Sequence, residues 1–161
     1  MTSLETRRRL EGFVAMASRH PQTSRLRDLL LEIAGELSDY KIDLTFAHER
    51  LPTHLLLIKD LRRLVARSDF VLCVTDGQDP DILFKAGLAF GLRKPLLVVI
   101  LPETEILPAT FMGHFYVELA GDASDRECLK SALATLVGGP KAENGRSAGL
   151  ARMGCAVGGE R

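Results

Sequence analysis

Two stretches of the chain consist almost entirely of apolar residues with β-branched side chains among them: Phe70-Val71-Leu72-Cys73-Val74 and the run from Pro95 to Leu101, PLLVVIL. A strand of this kind has no polar face to turn to water. It needs cover on both sides, which parallel sheets flanked by helices supply and half-exposed antiparallel sheets do not. The segments between and around these runs have a different period. Leu26, Leu29, Leu30, Ile33 and Leu37 recur at helical spacing within Ser24–Asp39, with Ser24 placed to cap the helix. Leu57, Ile58, Leu61, Leu64 and Val65 do the same after Pro52-Thr53, up to Ser68. Asp81–Leu92 reads as a third helix. Ser124-Asp125-Arg126-Glu127 has the Ser-x-x-Glu pattern of a capping box and opens a last helix over Asp125–Val137.

Phe13–Ala17 and Ile42–Ala47 supply two earlier strands, and Phe115–Leu119 a weaker fifth. The resulting order, βαβαβαβ, then β, then α, predicts a five-stranded parallel sheet with helices on both faces. Right-handed crossovers give it the strand order 2-1-3-4-5. Ligands in such sheets bind beyond the carboxyl ends of the strands, where the strand order reverses. Residues 18–23, 47–53, 76–81 and 102–113 would therefore surround one crevice.

The periodic region spans residues 8–137. Seven of the fourteen glycines lie between Gly138 and Gly159, in a stretch without apolar period, so residues 138–161 read as a disordered Gly-rich tail. Lys+Arg and Asp+Glu are 21 each, for a formal net charge of zero, which argues against a dedicated nucleic-acid binder. Arg7-Arg8-Arg9 then reads as a solvated N-terminal extension. Trp is absent and aromatic residues make up 6%, a poor base-stacking platform. Three cysteines without a CxxC pair indicate neither a zinc ribbon nor a disulfide scaffold, and His20, His48, His54 and His114 lack metal-ligand spacing. No apolar run approaches a membrane span and the charged start lacks a signal-peptide core, so the expected location is the cytoplasm, without a membrane partner. Neither GxGxxG nor GxxxxGK[ST] occurs, which disfavours dinucleotide and P-loop sites.

Chemistry concentrates in Ser68–Pro95, SDFVLCVTDGQDPDILFKAGLAFGLRKP. A buried strand runs into an acidic turn, and the turn into a helix. Asp76-Gly77 is a turn former at the carboxyl end of the strand. Asp79 and Asp81 flank Pro80 at the helix start, where acids complement the macrodipole and proline fits the first turn. Gly87, Ala89 and Gly91 read as small residues that let the helix pack closely on the sheet.

Ser68-Asp69, Asp76-Gly77, Asp79-Pro80-Asp81, Lys85-x-Gly87-x-Ala89 and Arg93-Lys94-Pro95 together resemble the signature of the nucleoside 2-deoxyribosyltransferase-like proteins and their TIR-like relatives. The strong match covers Ser68–Pro95; the element order extends it over the folded region. The resemblance implies a flavodoxin-like, TIR-like sheet, a small-molecule nucleoside or nucleotide as partner, no cofactor or metal, and assembly into a homo-oligomer. It also exposes a departure, since the family's catalytic Glu falls on Lys85. In the family that carboxylate attacks or supports an anomeric carbon as an N-glycosidic bond breaks. An ammonium has the wrong charge beside an oxocarbenium-like centre.

Three readings of Lys85 stand open: a solvated helix residue, a partner of Asp76 or Asp79, or a phosphate contact. The candidate ligand-binding residues are Ser18, Arg19, Glu49, Asp76, Gly77, Asp79, Asp81 and Lys85. Asp76 and Asp79 are the candidate catalytic acids, and Glu49 is a further relocated carboxylate. The chain thus reads as a nucleoside- or nucleotide-binding domain that has lost turnover and acts as a sensor, regulator or partner subunit. The alternative is an active N-glycosidic-bond enzyme, a nucleoside deoxyribosyltransferase, nucleotide N-glycosidase or NAD hydrolase. A phosphoacceptor receiver is disfavoured because Ala17-Ser18-Arg19 lacks the acidic pair that magnesium needs. Flavin binding is disfavoured because that same loop lacks a phosphate cradle.

Overall fold

The computed structural model describes residues 7–17, 20–50, 58–105, 111, 114–139 and 152–153. Ser18, Arg19, Pro52 and Thr53 lie outside them, as does all of the expected tail except Gly138, Gly139, Arg152 and Met153. The elements are β1 (Arg8–Met16), α1 (Thr23–Glu36), β2 (Tyr40–Phe46), α2 (Ala47–Arg50), α3 (Ile58–Arg67), β3 (Phe70–Thr75), α4 (Pro80–Gly91), β4 (Leu96–Ile100), β5 (Phe115–Glu118), α5 (Ser124–Gly138) and β6 (Arg152–Met153).

Five strands pair in parallel in the order β2-β1-β3-β4-β5, the doubly wound flavodoxin-like arrangement read from the sequence. The two-residue β6 adds to the β5 edge, also in parallel, within what was expected to be an unstructured tail. All six residues of β3 and all five of β4 are buried, as strands covered on both faces must be. Their side chains alternate between two apolar layers. On one face Leu26, Leu30 and Ile33 of α1 and Leu129 and Leu133 of α5 meet Val14, Leu72, Val74, Leu97 and Val99. On the other, Leu61 and Val65 of α3 and Ile82, Ala86 and Ala89 of α4 meet Phe13, Ala15, Val71, Cys73, Val98 and Ile100, with Phe111 closing the layer.

Several local expectations are corrected. β1 begins at Arg8, not Phe13, because its first residues pair with Tyr40–Ile42 of β2 while their side chains stay largely in water. Arg9 lies 2.7 Å from Asp43 across that pairing, so Arg8 and Arg9 belong to β1 rather than to an extension. Ser24 does not cap α1. Thr23 instead donates its hydroxyl to the Ala17 carbonyl at 2.5 Å, tying the helix to the end of β1. The capping box at α5 is not made either. Asp122 accepts from the Ser124 amide at 2.8 Å, and buried Asp125 accepts from the amides of Ala120 and Gly121 at 2.7 and 3.0 Å. A carboxylate in the first turn of the helix thus organises the loop before it. Cys128 on α5 is disulfide-bonded, which the cysteine spacing did not anticipate. No helix among the described residues is long and apolar enough to cross a membrane.

Gly12 marks where β1 crosses the β3 register. A Cβ there would lie 2.4 Å from the end of the Phe70 ring and 2.8 Å from Leu44 Cδ2. Phe70 is 2% exposed, so its ring has nowhere to retreat. Gly12→Ala is therefore expected to cost about 1–3 kcal/mol through overpacking, measured as a lowered midpoint in urea unfolding with the slope unchanged.

Candidate functional site

The crevice edge is set by the sheet. Met16 of β1 pairs with Val74 of β3, and Phe46 of β2 with Val14 of β1, so the carboxyl ends of all three strands come out on the same side. β1 has β2 on one flank and β3 on the other, which makes their ends the point where strand order reverses. The segments leaving this edge are Ala17 onward, α2, and the turn 76–79.

That turn is built from its own polar groups. Thr75 is fully buried, and its hydroxyl accepts from the Gly77 amide at 2.9 Å. Asp76 accepts from the Gln78 amide at 3.0 Å through Oδ1. Gly77 takes φ 83°, a conformation that a Cβ makes costly, so glycine is required between the two bonds. Asp79 then caps α4, its Oδ1 accepting from the Asp81 amide at 2.9 Å, with Pro80 in the first turn. Asp76 and Asp79 each commit one oxygen to holding backbone, and neither is paired with a cation among the described residues.

Lys85 sits on the inner face of α4, between Ile82 and Ala89, and is 5% exposed. Its ammonium donates to Asp81 Oδ2, one helical turn back, not to Asp76 or Asp79. The solvated reading of Lys85 is thus overturned, and so is the expected partner. The i,i+4 spacing explains the choice, since Asp81 lies one turn before Lys85 on the same helix. Beneath the helix, burial pushes the Cys73 thiol up to about 12, with the Lys85 charge pulling weakly the other way. Cys73 is a packing residue with no thiolate to offer.

Glu49 follows β2 on α2 and takes a different partner. The Arg27 guanidinium of α1 donates to Glu49 Oε1 and holds its carboxyl below the ordinary range. Arg27 in turn lies over the Phe46 ring at 5.2 Å. His48 Nε2 is 3.9 Å from the same Glu49 oxygen, and its buried Nδ1 has no hydrogen-bond partner among the described residues. No hydrogen bond or ion pair joins Glu49 to Asp76, Asp79, Asp81 or Lys85 among the described residues. The candidate residues therefore form two groups: the turn and α4 start, and the Arg27–Glu49–His48 group at the end of β2. Arg27 and Thr75 were not expected at the site. Arg27 lies 22 residues from its partner, beyond any local pattern.

The rest of the Ser68–Pro95 segment works at the opposite edge of the sheet. Asp69 accepts from the Glu11 amide at 2.8 Å and its own amide returns a bond to the Glu11 carbonyl at 2.7 Å. Lys94 donates its ammonium to the Ser68 carbonyl at 2.7 Å, and Val71 N–H donates to the Pro95 carbonyl at 2.9 Å. Ser68-Asp69 and Lys94-Pro95 thus clamp the starts of β3 and β4. Gly87 and Gly91 do not pack on the sheet as expected. Both are exposed, and a Cβ on either would meet nothing within 4 Å.

Two outcomes follow from the charges. Lys85→Met replaces a buried ammonium by an apolar chain and leaves Asp81 in water, so stability is held or raised; Asp81→Ala strands the ammonium and costs about 1–3 kcal/mol, both read by denaturant unfolding. Glu49, and Glu36 beside Lys130 and Arg126, have carboxyls held below their ordinary range when folded. Their contribution is complete above the unfolded value of about 4.5 and is lost as pH falls through the lowered folded value. The melting temperature is accordingly expected to fall below that pH, and the fall to be shallower in Arg27→Ala/Arg126→Ala and at high salt. In comparison with known proteins, no family model matches the chain and no curated protein matches it.

Proposed function

We propose that this chain is a nucleoside- or nucleotide-binding domain, related in design to the nucleoside 2-deoxyribosyltransferase-like proteins but without their bond-breaking step. The observation that carries this reading is the buried Lys85 ammonium, paired with the exposed Asp81. Cleaving an N-glycosidic bond calls for an anion facing the anomeric carbon as positive charge develops there. At the corresponding position this chain holds a cation, and that cation occupies the nearest free carboxylate. Asp76 and Asp79 are engaged as turn and cap, and Glu49 is engaged by Arg27.

What remains suits recognition. The second oxygens of Asp76 and Asp79 stand at the carboxyl edge of β3, on the side where doubly wound sheets take ligands. Carboxylates accept hydrogen bonds from sugar hydroxyls and base N–H groups, the donors a nucleoside presents. Such a domain would act through the ligand-bound state itself, as a sensor, a regulator or a subunit of a larger assembly.

The test is incubation of the full chain with deoxynucleosides, nucleoside monophosphates and NAD, with base release followed by chromatography and binding by thermal shift. At least one of these compounds is expected to raise the melting temperature without base release, and Asp76→Ala to remove the shift. Base release that disappears in Asp76→Ala would establish the enzymatic alternative instead. The absence of a shift with every compound would remove the nucleoside reading altogether.

A further inference from the structure

The helices on the two faces of the sheet treat their cations differently. α1 and α5 cover one face, where Arg27 is paired with Glu49, Arg126 with Glu32 and Glu36, and Lys130 with Glu36. α3 and α4 cover the other face and touch each other. α3, IKDLRRLVAR, turns buried Leu61 and Val65 to the sheet and carries four cations and one acid, Asp60. Lys59, Arg62, Arg63 and Arg67 are all exposed, on the side away from Leu61 and Val65. Lys59, Arg63 and Arg67 recur at every fourth position and so form a stripe about 12 Å long. Asp60 lies 3.7 Å from Arg63, and Lys59, Arg62 and Arg67 make no ion pair among the described residues.

Large apolar side chains are exposed at Leu31, Ile58, Phe84 and Phe90 among the described residues, and three of these belong to α3 and α4. Phe84 is 50% exposed, on the side of α4 away from buried Ile82, Ala86 and Ala89. Phe90 is 66% exposed although its ring meets His114 edge-on at 5.3 Å. Leu31 sits instead on α1 with Asp28, Glu32 and Glu36. Cations and aromatic rings on one face fit a surface that offers negative charge and apolar depth together, which is the headgroup region of an anionic bilayer. The outer side of two packed helices is convex, whereas a nucleic-acid strand calls for a groove along its backbone. We infer that the outer face of α3 and α4 is an attachment surface for an anionic lipid bilayer, with the α3 cations among the headgroups and Phe84 and Phe90 at the acyl boundary. The expectation of no membrane partner rests on the lack of an apolar span, and adsorption to a surface needs no span. The same lipid charge repels Asp76 and Asp79, which tilts the carboxyl edge of the sheet, and the crevice with it, toward water.

Co-sedimentation of the full chain with sucrose-loaded vesicles tests this, using phosphatidylcholine alone and phosphatidylcholine mixed with phosphatidylserine. Binding is expected to the mixed vesicles and not to the neutral ones, and is expected to weaken as salt is raised. Arg62→Gln/Arg67→Gln is expected to weaken it about fivefold for each cation removed. Phe84→Ser/Phe90→Ser is expected to weaken it at every salt concentration, while Leu31→Ser on the opposite face leaves it unchanged. These positions are all exposed, so circular dichroism of each variant is expected to match the wild type. Should Arg62→Gln/Arg67→Gln fail to fold, Lys59→Gln/Arg63→Gln takes its place with the same expected loss. A chain that does not bind the mixed vesicles overturns the inference, and so does binding that either pair of substitutions leaves intact. A single-stranded and a duplex oligonucleotide supply the last arm. If either binds more tightly than the mixed vesicles, and without loss in Phe84→Ser/Phe90→Ser, the face belongs to nucleic acid and the inference is overturned.

Discussion

Everything at the candidate site hangs on the complete burial of β3. A strand with all six residues inside and neighbours on both flanks cannot shift register without exposing Val71, Leu72 and Cys73. Its carboxyl end is therefore a fixed point. Buried Thr75 offers its hydroxyl to the next turn, and Gly77 in its left-handed conformation reverses the chain within two residues. Asp79 then starts α4 at a set angle over the sheet. At the other end Asp69 and Lys94 clamp the starts of β3 and β4. The position of Lys85 is thus a consequence of the strand rather than of the helix alone. Once α4 starts at Pro80, residues 82, 85, 86 and 89 must face the sheet.

That placement makes the identity of residue 85 chemically decisive. An exposed lysine there would say little about function, because a solvated charge can be turned aside. A lysine on the inner stripe has to find a carboxylate, since burying an unpaired ammonium is far costlier than pairing it. Asp81 meets that demand from one turn away, and the pair is self-sufficient within α4. The helix start is then left with Asp76 and Asp79 as the rim, both held by backbone amides. An inner-stripe glutamate would have the opposite effect, crowding a fourth acid into this cluster and raising the affinity of one of them for a proton. Lysine and glutamate at this position therefore specify different sites on the same backbone.

The sheet was legible because its signals are local and redundant. Continuous apolar runs in β3 and β4, helical periods in α1 and α3, and breakers between them all agree on one strand order. Several of the misreadings share a cause, which is that they concern choices between near-equivalent local partners. Ser24 and Thr23 both suit a helix start, and the Ala17 carbonyl settles it in favour of Thr23. Ser124 and Glu127 suit a capping box, but it is Asp125 that accepts from the loop, at the amides of Ala120 and Gly121, and no side chain caps α5. Gly87 and Gly91 were read as inner residues because small size is the common property of inner and outer contacts. Only the phase of α4, fixed by β3 and Asp79, shows that they face outward. Asp81 as the partner of Lys85 was within reach, since the i,i+4 rule alone favours it over Asp76 and Asp79.

A formal net charge of zero conceals how unevenly the charges are satisfied. Arg9 with Asp43, Arg27 with Glu49, Arg126 with Glu32 and Glu36, and Lys130 with Glu36 all neutralise one another across elements. These pairs are exposed and individually contribute little. Asp76 and Asp79 are two that make no ion pair among the described residues, and both lie at the carboxyl edge of β3. Their hydrogen bonds to amides fix their orientation without cancelling their charge. An acidic rim of this kind repels a bare phosphate and accepts hydroxyl or N–H donors, so within the proposed ligand class the sugar and base are the parts it would hold. A phosphate, where present, would have to point away from the turn.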